Sequence, residues 1–153
     1  MRSLEERIKQ SKFRNEKHKT VISILYTSNV VAAHYEEAFA KYGITLQQFN
    51  VLRILRGQHP APSTINVIRD RMLDKMSDAS RIVERLRKAG LVDRVPSKKD
   101  RRAVDVVITK KGLEVLTQID KVELHLQEPL KGLSDSEAKQ LNDLLEKIMR
   151  GFD

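Results

Sequence analysis

The stretch RIVERLRKAGLVDRVPSKKDRRAVDVVITKKG, Arg81 to Gly112, decides how the rest of the chain is read. Its first part repeats apolar residues at helical spacing, with Ile82, Val83, Leu86 and Ala89 sharing one face while Arg81, Arg85 and Lys88 lie on the polar side. Ser77 or Asp78 is a natural N-cap, and Gly90 stands where a left-handed C-cap is wanted, so a helix is expected from Ser77 to Ala89. The period then changes from 3.6 to 2. LVDRV reads as a short strand closed by Pro96, and AVDVVIT as a second strand with Val104, Val106 and Ile108 on one face. The residues between them, PSKKDRRA, are too charged for burial and make a hairpin tip.

Upstream, Thr64–Met72 is a short helix with Ile65, Ile68 and Met72 facing inward, separated by the Gly- and Pro-bearing loop GQHPAPS from a helix over Leu46 to about Arg56. That helix opens on TLQQ, a capping-box pattern, and is apolar on more than one side, which places it centrally. Residues 4 to about 41 read as one long helix, because Val21, Ile22, Leu25, Val30 and Val31 recur at helical spacing and no Pro or Gly intervenes before Gly43. Downstream, a helix is expected from Lys110 to about Gln127, ahead of Pro129. A second capping box, SDSE at 134–137, opens a last helix carrying Leu141, Leu144, Leu145, Ile148 and Met149. The fold class is therefore mainly α with a small β-hairpin.

Composition narrows the functions. At 153 residues the chain is most simply one domain. It has no Cys, which excludes disulfides, thiolate metal sites and cysteine-based redox sensing. No apolar run has the length of a membrane span and the N-terminus lacks the apolar core of a signal peptide, so a soluble, cytoplasmic protein is expected. His18, His34, His59 and His125 show no ligand spacing, and there is no Gly-rich phosphate loop or nucleophile elbow. Glu114, Asp120, Glu123 and Glu128 read as solvated helix faces. An enzyme, a metal site and a cofactor are not expected.

The net charge of +8 is unevenly spread. Residues 69–111 hold fourteen Lys and Arg against seven Asp and Glu, whereas residues 112–153 hold five against nine. A basic middle points to an anionic partner at one face, most simply nucleic acid; an acidic membrane surface usually recruits amphipathic termini instead. Two short helices followed at once by a basic hairpin form a winged helix-turn-helix. Its second helix fits the major groove of double-stranded DNA and its hairpin reaches the backbone or the minor groove. Ser77, Asp78, Ser80, Arg81 and Arg85 occupy the exposed side and are the candidate contacts. The bland reading, an ordinary solvent-facing helix surface, loses ground because the helix adjoins the basic hairpin.

The Arg81–Gly112 block resembles the recognition helix and wing of the MarR family of bacterial transcriptional regulators, most closely in DRR at the wing tip, IT at the strand end and the following KKG. The flanking helices agree in order and length. The resemblance implies a single domain over 1–153, with dimerisation helices over about 1–41 and 110–153 and a DNA-binding lobe over about 45–109. It implies a homodimer on a pseudo-palindromic operator, acting as a ligand-responsive repressor. Arg102 would enter the minor groove, and Lys98, Lys99 and Arg101 would grip phosphates. Asp100 would brace the wing through an arginine of the recognition helix, Arg85 being best placed, with Arg81 and Arg87 as alternatives. A pocket for a small aromatic or phenolic effector is implied beside Tyr26, Val30, His34, Phe49 and Arg53. The alternative function is a winged-helix interaction module that binds protein or RNA without an operator.

Overall fold

The computed structural model describes residues 2–97, 104–122 and 126–152. Seven α-helices and one hairpin are described: α1 (Leu4–Ile8), α2 (Glu16–Ala40), α3 (Leu46–Arg56), α4 (Ile65–Arg71), α5 (Ala79–Lys88), β1 (Val92–Pro96), β2 (Val104–Ile108), α6 (Lys110–Asp120) and α7 (Asp135–Met149). One-turn 3-10 segments at Glu128–Leu130 and Arg150–Phe152 flank α7.

The expected single helix over 4–41 is two helices. Ser3 and Glu6 form a capping box on α1, and Lys9 closes it in the left-handed region at φ 53° with its N–H donating to the Glu5 carbonyl. Asn15 then restarts the chain as N-cap of α2, its side-chain oxygen accepting from the His18 N–H at 2.9 Å. Caps at both ends of a short stretch outweigh the absence of Pro and Gly. The ends are stapled by a Glu5–Lys19 ion pair at 2.6 Å.

The core is built on α3. Thr45 and Gln48 cap it reciprocally, and Phe49, Val51, Leu52, Ile54 and Leu55 are all buried, so its central placement holds. Ile68 and Met72 of the α4 segment, Ala79, Val83 and Leu86 of α5, and Leu116 and Ile119 of α6 pack around it. On α5 the inward stripe is Ala79, Val83 and Leu86, with Ile82 half-buried; Ala89 is exposed, because the helix ends at Lys88 and Ala89 serves as its C-cap. Gly90 follows at φ 72°, a conformation glycine adopts without a Cβ penalty.

β1 and β2 pair antiparallel with Val92 opposite Ile108 and Pro96 opposite Val104. Ser63 adds a bridge on the free edge of β2, exchanging two 2.8 Å hydrogen bonds with Val106. Val106 and Ile108 anchor the hairpin to the core, whereas Val104 is half exposed, since it lies at the distal end of the strand beyond the helices. The helix expected to run from Lys110 to Gln127 ends at Asp120, with a turn at Lys121 and Val122. The SDSE capping box on α7 is present as read, Ser134 and Glu137 satisfying each other.

The motif IT-KKG has a mechanical explanation. Thr109 accepts the Gly112 N–H at 3.1 Å to cap α6 while its hydroxyl donates to the Gly90 carbonyl at 2.8 Å. Lys111 Nζ donates to the Ala89 carbonyl at 2.9 Å, satisfying an orphan acceptor at the end of α5. Gly112 sits so close to the preceding turn that a Cβ there would stand 2.3 Å from the Leu91 carbonyl oxygen. These contacts lock α5, the hairpin and α6 into one body.

Candidate nucleic-acid interface

Helix α5 packs on the core through Ala79, Val83 and Leu86 and leaves Ser80, Arg81, Arg85, Arg87 and Lys88 exposed. The turn before it is fastened by Asp74, whose carboxylate accepts the Ser77 hydroxyl at 2.6 Å and the Met76 N–H at 3.0 Å. Those bonds, the Ser77 one foremost, hold its carboxyl below the ordinary aspartate value. Asp78 is the N-cap, accepting from the Arg81 N–H at 3.1 Å. The choice between Ser77 and Asp78 as cap therefore falls on Asp78, and both side chains are engaged locally. Ser80, Arg81 and Arg85 remain on the outer face, and Arg81 and Arg85 have no ion pair among the described residues.

The third arginine is differently placed. Arg87 pairs with Glu84 through two contacts, Nε to Oε2 at 3.1 Å and Nη2 to Oε1 at 2.9 Å, and Arg94 of β1 reaches the same carboxylate at 3.3 Å. Glu84 is thus a tie between recognition helix and wing base, its carboxyl held below the usual range chiefly by the Arg87 hydrogen bond. Neither Glu84 nor Arg94 was among the candidates from sequence; a Glu three residues before an Arg on one helix was the visible half of the signal. The N-terminal turn of α3 lies alongside, and a groove of about 330 Å³ runs between Thr45, Gln47 and Gln48 on one side and Asp78, Arg81 and Arg85 on the other. Lys98, Lys99, Asp100, Arg101 and Arg102 lie outside the described residues, as do Glu123 and His125.

The five effector candidates are not brought to one place. Phe49 and Arg53 share a cavity of about 280 Å³ with Val31, Tyr35, Leu46 and Leu73, and the Arg53 guanidinium stands 5.8 Å from the centroid of the Phe49 ring. The same two residues, with Tyr35, also line a smaller space of about 130 Å³ towards Arg56 and Asp120. Tyr26 and Val30 instead line a groove with Leu4, Pro129 and Leu130. His34 meets the edge of Tyr35 with ring centroids 6.4 Å apart. Val31 borders both spaces, with Tyr35 four residues on at the Phe49 cavity and with Tyr26 and Val30 at the groove, while Tyr26 and Val30 do not reach the cavity. Asp120, read as a solvated carboxylate, is paired with Arg56 at 2.6 Å and ties α6 to α3.

Among the described residues no group of His, Asp and Glu is arranged to hold a metal, and no helix is long and apolar enough to cross a membrane. A compact helix-turn-helix with a basic outer face and an appended hairpin defines a winged-helix DNA-binding protein. Residues 42–103 match the model of the MarR family. The chain is 31% identical to the transcriptional repressor IacR of Pseudomonas putida over 84% of its length and 73% of the relative's. It is 29% identical to the regulator MgrA of Staphylococcus aureus, covering 91% of this chain and 93% of that one. It superposes with a TM-score of 0.78 on a mutant MarR from E. coli complexed with operator DNA, at 28% identity, 90% of this chain and 99% of the other being covered. The chain belongs to the MarR family of transcriptional regulators; its relatives are regulators, not enzymes.

Proposed function

We propose that this protein is a homodimeric, ligand-responsive repressor that binds a pseudo-palindromic operator in the cytoplasm. The observation that carries DNA reading is the outer face of α5, where Ser80, Arg81 and Arg85 stand exposed on a helix whose turn and wing base are both fastened. Arginine pairs bidentately with guanine and serine donates to several acceptors, so this face reads base edges. Lys98, Lys99 and Arg101 supply sequence-blind phosphate contacts, Arg102 the minor-groove contact, and Asp100 the brace, most simply to Arg85, because Arg87 already holds Glu84.

The dimer is supported by α7. None of its fifteen residues is buried, yet Leu141, Leu144, Ile148 and Met149 form one exposed apolar stripe, and Val21, Leu25 and Val30 are exposed on α2. Such stripes, on α7 with no buried residue and on the stretch of α2 ahead of its core residue Phe39, suit a self-complementary interface. The effector reading is supported by the cavity at Phe49 and Arg53, which joins α2, α3 and the turn residue Leu73. A cation over an aromatic floor suits a small aromatic or phenolic acid, and its occupancy would act on the turn that leads into α5.

Selection from random duplex DNA tests the reading: an enriched inverted repeat supports it, and no enrichment favours a winged-helix module for protein or RNA. On the selected operator, Arg81→Ala should lose about 1–3 kcal/mol of discrimination at one base pair per half-site. Arg102→Ala should weaken binding as well, and unchanged affinity would remove the wing assignment. Raising salt from about 50 to about 200 mM should cost on the order of 10³-fold in affinity if about six phosphates are contacted.

A further inference from the structure

Two residues at the reading end of α5 are occupied by the fold: the Ser77 hydroxyl is held by Asp74 and the Asp78 carboxylate caps the helix. The same Asp74 carboxylate fixes the backbone one residue earlier, through the Met76 N–H. On that fixed backbone Met76 is 94% exposed, the highest value among the exposed large hydrophobic side chains. Leu73, in the same turn, is also exposed but lines the cavity with Phe49, whereas Met76 lines neither that cavity nor the groove beside α5. The turn thus displays an apolar side chain at the entrance of a basic face, flanked by Lys75 and, a helical turn on, Arg81.

A thioether has no proton to donate and accepts weakly, so Met76 gains from a partner only by contact with apolar surface. Against the major groove, the apolar feature on base edges is the 5-methyl group of thymine. We infer that Met76 is a specificity-determining residue, packing its side chain on a thymine methyl where the N-terminus of α5 enters the operator. It replaces by apolar contact the polar readers that local capping removes from Ser77 and Asp78. This inference rests on the operator reading above.

The test uses the operator selected by the wild-type protein, made once with thymine and once with deoxyuridine, which pairs identically and lacks only the methyl group. Wild type and Met76→Leu should bind the deoxyuridine duplex more weakly by about four-fold for each thymine contacted, the value of one buried methyl. Met76→Ala should lose most of that ratio and bind the thymine duplex about as weakly as wild type binds the deoxyuridine one. Its thermal unfolding should match wild type, since the side chain buries nothing. A Met76→Ala protein that keeps the full thymine-to-deoxyuridine ratio overturns the inference. Unchanged affinity would then mean no contact, and an equal loss on both duplexes would mean a sequence-blind contact to sugar or phosphate. Failure of the wild type to enrich any sequence removes the operator reading and this contact together, whereas a selected operator with no coupling to Met76 removes the contact alone.

Discussion

Helices α3 and α7 each carry four leucines and isoleucines and have opposite fates. Five of the eleven residues of α3 are buried, and none of the fifteen of α7. The difference lies in what each helix faces. Around α3, apolar residues point outward on several sides and α4, α5 and α6 close over them. On α7 they form a single stripe, and nothing among the described residues buries it. One helix builds the core, and the other leaves its apolar stripe exposed.

Truncation separates these roles. Leu52→Ala should cost about 2–5 kcal/mol in urea unfolding, because it opens a cavity in a closed core. Leu144→Ala, measured at concentrations where the chain is monomeric, should stay within about 0.5 kcal/mol. A large loss there would break the comparison. In the dimer reading, Leu144→Asp should instead abolish association in sedimentation equilibrium while leaving the helical circular dichroism of the lobe in place.

Gly112→Ala should fall next, at about 1–3 kcal/mol, the usual cost of forcing atoms into a packed site. Its Cβ would meet the Leu91 carbonyl oxygen at 2.3 Å and Ile108 Cγ1 at 2.7 Å, and backbone cannot step aside as a flexible side chain can. Gly132→Ala, with open space around its Cβ position, is the control and should be near neutral. Equal effects would mean that the junction of wing and α6 is looser than the contacts indicate.

The smallest effect belongs to the outer end of α2. The Lys19 ammonium, hydrogen-bonded to Glu5, is the main reason that carboxyl is held down to about 2 from its ordinary 4.5. A depressed carboxylate stabilises the folded junction at pH above 4.5, and that contribution is lost as pH falls from 4.5 towards 2. Both groups are solvent-facing, so the effect is local and screened by salt. Amide protection in α1 should decline over that pH window in wild type and be low and flat in Glu5→Gln. A wild-type profile that is also flat would detach α1 from the ion pair.

The parts legible in the sequence share a cause. The caps at Thr45 and Ser134, the stop at Gly90, the inward faces of α4 and α5 and the switch to a hairpin are set by neighbours a few residues away. The boundary missed within 4–41 was of this kind too: Ser3, Glu6 and Asn15 were readable cap residues, outweighed by an unbroken apolar period. The early end of α6 had no comparable signal, since nothing in the sequence between Asp120 and Pro129 forbids a helix.

What the amino-acid sequence determined by itself was the class: a helix-turn-helix with a basic wing, framed by amphipathic helices, because periodicity, caps and charge are local properties. Tertiary structure alone decided which charges are free and which are spent. Arg87 and Arg94 share Glu84, the second only because a helix and a strand ten residues apart meet, whereas Arg81 and Arg85 have no ion pair among the described residues. The cavity gathers Phe49 and Arg53 with Tyr35 and Leu73 and leaves out Tyr26 and Val30, because the rotation of α2 against α3 is a packing outcome. Met76 stands out only in the fold, where Asp74 ties down its neighbours, since exposure is a property of the folded chain and not of a residue type.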